Sequence, residues 1–127
     1  MTWKRSDLVG ALVPILEGLD ATVTVHPSPP STISPPAYYV GYPVTVSYDA
    51  FAFGVDLVTI PLTAVRGLTE SDEVDAMLRA AKDAVNADTT LGGAVPACRG
   101  MTQQAWRILG LGGSDYLAAD LSLELRM

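Results

Sequence analysis

The stretch VHPSPPSTISPP, residues 25–36, holds five of the nine prolines and the single histidine of this 127-residue chain. No helix interior and no central strand tolerates that density of proline, because each one removes a backbone donor and fixes φ at about −65°. The chain must break there. The segments before and after it are joined by an uncharged connection of polyproline II character, which costs little entropy to order, keeps a defined reach, and suits either bridging two strands or lying across a neighbouring subunit in a ring.

Upstream, a helix is predicted with Ser6 as cap and Asp7 where the helix dipole favours an acid. Leu8, Leu12, Ile15, Leu16 and Leu19 recur on one face, Pro14 should kink or shorten the helix, and Gly18 with Asp20 closes it. ATVTVH then reads as a short strand that stops at Pro27. Downstream, Tyr39, Val44, Val46 and Tyr48 alternate as in a strand, interrupted at Gly41 and Pro43. DAFAFG is a turn candidate, with Asp49 opening it and Gly54 able to take a positive φ, and the run 55–65 returns as the second arm of a long hairpin. Pro61 within that run argues for an edge position or a bulge.

The strongest helical pattern comes next. Val74, Met77, Leu78, Ala81 and Val85 form an apolar stripe, with Thr69 or Ser71 as cap and acids in the first turn. Asp75–Arg79 and Arg79–Asp83 are four-residue charge pairs on the outer face. Two more strands are expected, at 97–109 and in DYLAADLSLEL, where Leu117, Ala119, Leu121, Leu123 and Leu125 share one face. There are no internal repeats. The order helix, strand, hairpin, helix, strand, strand predicts an α+β fold, a mostly antiparallel sheet with a long hairpin and two helices packed on one face, as a single domain over 1–127.

A domain of this size buries roughly two-thirds of its unfolded surface and needs no disulfide or metal staple. With one cysteine, Cys98, no intrachain disulfide or cysteine-based zinc site can form. The hydrophobic fraction is 49% and charged residues are 17%, which is apolar for a small domain and fits either a generous core or surface covered by other subunits. A net charge of −6 argues against a nucleic-acid-binding face or an anionic membrane partner, although an acidic wall can let a duplex slide past. Lys4 and Arg5 before an apolar run resemble a signal peptide, but Asp7, Glu17 and Asp20 interrupt that pattern. The run 8–16 is short of the about 20 residues a bilayer span needs, so a soluble, intracellularly made protein is expected.

Chemistry is sparse. His26 is the one imidazole, and no neighbouring acid is placed to orient it, so a strand-end residue is the simpler reading. Glu70, Asp72, Glu73 and Asp75 lack the alternation and glycine of a calcium loop and read as acids at a helix N-terminus. GLGGSD carries no Lys-Ser or Lys-Thr after its glycines and reads as a hairpin connection. Trp3 and Trp106 read as packing. No catalytic, cofactor or metal site is expected.

The element order, together with PPAYYVG, TTLGGAV and the closing YLAADLSLEL, resembles the small tail terminator and neck-type proteins of long-tailed bacteriophages, especially those of actinobacterial hosts. That resemblance covers nearly the whole chain and implies structural rather than enzymatic work. Such proteins form a homo-hexameric ring at the head-proximal end of the tail tube, stop tube polymerisation and join the tail to the head-completion protein of the neck. Genomic DNA passes through the channel without specific binding. The implied location is the head–tail junction of the virion, the partners are the chain itself, the tube protein and the head-completion protein, and no membrane or cofactor is involved.

The resemblance supplies no site residues, so candidate interface residues come from the sequence itself. They are Phe51 and Phe53 at the hairpin tip, which either meet a partner or tuck onto the sheet, and Pro29, Pro30, Ile33 and Pro35 in the connection. A head-completion ring or a tube subunit is the nearest alternative. A small-ligand-binding or enzymatic α+β domain using His26 and the acidic run is an alternative of another class, and a dimeric α+β protein of unrelated role a third.

Overall fold

The computed structural model describes residues 4–52, 55–88, 90–91 and 97–127, with side chains placed at 4–48, 55–88, 90–91 and 105–127. In chain order the elements are α1 (Arg5–Glu17), β1 (Thr24–His26), β2 (Ala37–Val40), β3 (Thr45–Ala52), β4 (Val55–Arg66), α2 (Ser71–Ala87), β5 (Ala97–Leu111) and β6 (Ser114–Arg126). The fold is α+β. One sheet carries the order β1-β2-β4-β6-β5, with β3 also paired to β4, and only the β1–β2 pair is parallel.

Helix α1 begins at Arg5 with Lys4, not Ser6, at the N-cap. Asp7 sets that start: its carboxylate accepts the Lys4 backbone N–H at 3.3 Å, the acid half of a capping box. The helix continues through Pro14 to Glu17, leaving the Gly10 carbonyl without its helical donor. Leu8, Val9, Leu12 and Leu16 are buried, while Leu19 lies past the helix end and is exposed. In α2 the five buried residues are Val74, Met77, Leu78, Ala81 and Val85, the stripe read from the sequence. Its N-cap is Glu70, without a side-chain capping bond, in place of the expected Thr69 or Ser71.

Both helices pack on the same face. Their buried residues join Tyr38 and Val40 of β2, Ile60 and Leu62 of β4, and Leu121, Leu123 and Leu125 of β6 in the main core. A fully buried side chain of this size contributes ~1.5–3 kcal/mol of transfer free energy, so this face carries most of the stabilisation. The opposite face holds a smaller cluster of Ile33, Ala37, Tyr39, Val65 and Ala118, flanked by Leu109, Leu111 and Tyr116.

Two expectations change. The run after the proline-rich stretch is two strands, β2 and β3, and Pro61 lies inside a central strand instead of at an edge or bulge. Along one side β4 pairs with β2 over residues 62–65 and with β3 over 55–59, and along the other side with β6. Pro61 falls at the changeover. Its carbonyl accepts the Gly41 N–H at 2.9 Å. The N–H and C=O of one residue point to the same side of an antiparallel ladder, so the donor that Pro61 lacks faces this gap and the β6 ladder is unaffected. The β2–β3 link passes very close: a Cβ on Gly41 would lie 2.5 Å from Pro61 Cγ. Glycine is therefore required by contact.

The β5–β6 hairpin turns on Gly112 and Gly113, with φ of 59° and 80°. Two consecutive positive φ values define the tight turn whose twist matches paired strands, and β5 accordingly runs to Leu111, two residues beyond the expected end.

Gly41→Ala is expected to destabilise the fold by ~1–3 kcal/mol, the usual range for overpacking, read as a lower urea midpoint. Pro61→Ala in that background is expected to recover part of the loss; an unshifted midpoint in Gly41→Ala would refute the contact argument.

Candidate functional site

The proline-rich connection is fastened to its own domain at both ends and in the middle. At its start, the Arg5 guanidinium donates to the Pro27 carbonyl at 2.8 Å and to Ser28 Oγ at 3.3 Å. The same group donates to the carbonyls of Val40 at 2.9 Å and Gly41 at 3.0 Å and lies 4.6 Å from the Tyr42 ring centre. β1 and β2 are parallel, so their C-terminal ends lie side by side, and one planar fork from the start of α1 satisfies carbonyls beyond both. In the middle, Ile33 is buried against Tyr39, Val65 and Ala118, and its carbonyl accepts from the Tyr116 hydroxyl at 3.4 Å. At the end, the Pro36 carbonyl accepts the Thr24 N–H at 3.1 Å, after a cis Pro35–Pro36 bond.

These contacts place the expected interface residues individually. Ile33 is buried within its own chain, so its side chain is not available to a neighbour, a correction to its place among the contact candidates. Pro29 is exposed, and Pro30 and Pro35 are half-buried. Phe53 lies outside the described residues, as does the side chain of Phe51, and Trp3 also lies outside them. His26 ends β1, in register with Tyr39. Its Nε2 is buried without a hydrogen-bond partner among the described residues.

Under the connection, the sheet carries a polar row. Tyr39, Thr63, Asp120 and Ala105 lie opposite one another on β2, β4, β6 and β5. Arg107, one diagonal away, binds Asp120 through Nε and Nη2, both at 3.1 Å, and donates to the Tyr39 hydroxyl at 2.6 Å. The buried Thr63 hydroxyl donates to the same carboxylate. The hydrogen bond it donates to Asp120 raises the Arg107 pKa further, with burial opposing it. Every member has a partner, which makes this a closed network that fixes the positions of four strands.

The acidic run is dispersed. Glu70 pairs with Arg66, Asp75 with Arg79 at 2.7 Å, and Asp72 and Glu73 sit in the first turn of α2. Among the described residues no three His, Cys, Asp or Glu side chains converge to hold a metal ion, and no helix is long and apolar enough to cross a membrane.

Two surface features remain. One is a groove of about 270 Å³ between the end of α1 and the first turns of α2, floored by Val23, Tyr38, Ala76 and Met77 and rimmed by Asp20, Arg66 and Glu73. Hydrogen bonds from the Thr22 backbone and side chain hold the Asp20 carboxyl below its usual range. The Tyr38 hydroxyl donates to the Met77 carbonyl at 2.6 Å, and burial, aided by the Asp20 charge, pushes it up to about 12. The other feature is a set of exposed apolar side chains on β5 and β3. On β5, Trp106 and Ile108 are 44% and 69% exposed, and their register with Ala119 and Leu117 puts them on the helix-bearing face. On β3, Val46 opposes Val58 on that face, and Tyr48, beyond the register shift that follows Ser47, is 78% exposed.

Sequence reading missed Arg5, the Arg107–Asp120 network and the groove. Trp106, read as packing, is instead half-exposed at the sheet edge. No protein-family model matches the chain and no curated protein is significantly similar to it.

These contacts have two measurable consequences. Arg5→Lys replaces a planar fork by a single ammonium and leaves carbonyls without donors; a loss of ~1–3 kcal/mol is expected, measured by thermal and urea unfolding. Folded Tyr38 holds its proton above the unfolded value of 10, so its stabilisation is complete below pH 10 and disappears as pH rises through about 12. The stability gap between the native chain and Tyr38→Phe should therefore narrow over that window, and a gap constant with pH would contradict the assignment.

Proposed function

We propose that this chain is a structural protein of a phage virion: a tail terminator that forms a ring on the head-proximal end of the tail tube, stops its growth and joins it to the head-completion protein. The reading rests on the resemblance in element order and motifs, and one observation carries it at the level of shape. Three strands, β1, β3 and β5, have an open edge among the described residues, and β5 places the exposed Trp106 and Ile108 on the helix-bearing face.

Strand direction makes those edges compatible with each other. β3 is antiparallel to β4, β4 to β6 and β6 to β5. Three reversals leave β3 and β5 antiparallel, and β1, parallel to β2, is antiparallel to β5 as well; the register Trp106–Ala119–Ala64–Tyr38–Val25 makes β1 the strand that a copy displaced sideways sets against the Trp106 segment of its neighbour. A contact between two different surfaces of one chain is heterologous, and heterologous contacts close into rings when the rotation per subunit divides the circle. β5 is irregular over 98–104 but in unbroken register from Gln104 to Leu111, the segment that holds Trp106 and Ile108. An open, regular, apolar edge invites strand addition unless a partner covers it. The net charge of −6 suits a channel through which DNA passes without adhering.

The test is direct. Purified protein examined by negative-stain electron microscopy, alone and with tail tubes, is expected to show six-fold rings that cap tube ends and halt their elongation. Protein that stays monomeric and leaves tube length unchanged would overturn the reading.

A further inference from the structure

The backbone groups left open at two edges of the sheet fit one another. On β5, the pair Leu111–Ser114 flanks the two-residue turn at Gly112 and Gly113, and in such a hairpin that pair exchanges both of its backbone hydrogen bonds. Bonded and unbonded pairs alternate along an antiparallel ladder. Arg107 and Leu109 therefore direct N–H and C=O to β6, while Trp106, Ile108 and Gly110 turn theirs outward. On β1, the Thr24 N–H bonds the Pro36 carbonyl at 3.1 Å, at the head of β2. Alternation then turns the N–H and C=O of Val25 to the open side.

Val25 and Trp106 stand at one level of the sheet, linked through Tyr38, Ala64 and Ala119. Both side chains belong to the helix-bearing face, where Val25 packs against the main core and Trp106 is exposed. Opposed residues that both turn their backbone toward the partner form the doubly bonded pair of an antiparallel ladder. A copy displaced sideways thus meets its neighbour with level, direction and bonding pattern matched at Val25 and Trp106. The exposed Ile108 then comes opposite Val23. β3 has no such match, because it pairs with β4 over 55–59, level with the irregular part of β5 and not with Trp106.

We propose that copies of this chain associate by strand addition, with β1 of one copy antiparallel to β5 of the next and Val25 opposite Trp106. Two different edges meet, so the contact is heterologous. It names the self-contact of the ring reading above and rests on that reading for its closure. The pairing gives Trp106 and Ile108 apolar neighbours and gives the β5 backbone the partners that an open edge lacks. On the other face it sets Ala105 opposite His26.

The test is disulfide trapping in the full chain, with Cys98→Ser removing the native thiol. Ala105 and His26 form an unbonded pair across the contact, with Cα atoms about 4.5 Å apart, within the ~4.4–6.8 Å that a disulfide spans. Oxidised protein carrying both Ala105→Cys and His26→Cys is expected to give a covalent ladder ending at the hexamer on denaturing gels, and each single variant only monomer. Ile108→Pro removes an outward N–H and leaves the β6 ladder intact. It should raise the subunit dissociation constant at least tenfold in sedimentation, with circular dichroism as the folding control. No ladder from the double-cysteine protein where the native chain associates would overturn the strand pairing and leave the ring reading standing. So would covalent dimers from Ala105→Cys alone, or folded Ile108→Pro that assembles as the native chain does. A ladder that runs past the hexamer would support the pairing and overturn the closed ring. Native protein that is monomeric at every concentration would overturn both.

Discussion

Strand β4 has different neighbours at its two ends on one side, and the close approach of Gly41 to Pro61 is what allows it. A residue with a Cβ at position 41 would displace the link away from the proline ring, and a residue with an N–H at position 61 would face a gap instead of a strand. The pairing of β2 above and β3 below, the parallel β1 beyond β2, and the open outer edge of β3 all depend on this crossing. Arg5 completes it. The carbonyls at the crossing and at the end of β1 lie where no strand supplies donors, and the guanidinium supplies them.

The two sheet faces solve different problems. The helix-bearing face provides the apolar core, with Tyr38 as a polar tether to α2. The opposite face has no helix and is covered instead by the connection 27–36, anchored at Ile33, over a network in which Arg107 holds Tyr39 and Asp120 together. A proline-rich segment suits that task, because a stiff chain can lie across a face with one side chain inserted. With both faces occupied by the chain itself, what stays open among the described residues is the outer edges of β1, β3 and β5.

What could be read from the sequence was what local periodicity determines. The stripe of α2 and the alternation of β6 predicted the buried side chains because each is set within its own element. The position of Pro61 could not be read, since its neighbours on one side come from both β2 and β3. Arg5 and Arg107 looked like solvated charges because their partners are remote: Val40 is 35 positions from Arg5, and Tyr39 is 68 from Arg107. Ile33 was misplaced for the same reason, as the residues that bury it belong to β2, β4 and β6.

The two-glycine turn between β5 and β6 has a further consequence for how this chain tolerates change. Its length sets which face every residue of β5 presents, since side chains alternate with a period of two. A single inserted or deleted residue that shifted the pairing by one would exchange Arg107 with Trp106 or Ile108, stripping Tyr39 and Asp120 of their cation and turning an aromatic edge into a charged one. Along this hairpin, chain length is under tighter constraint than the identity of most residues in it.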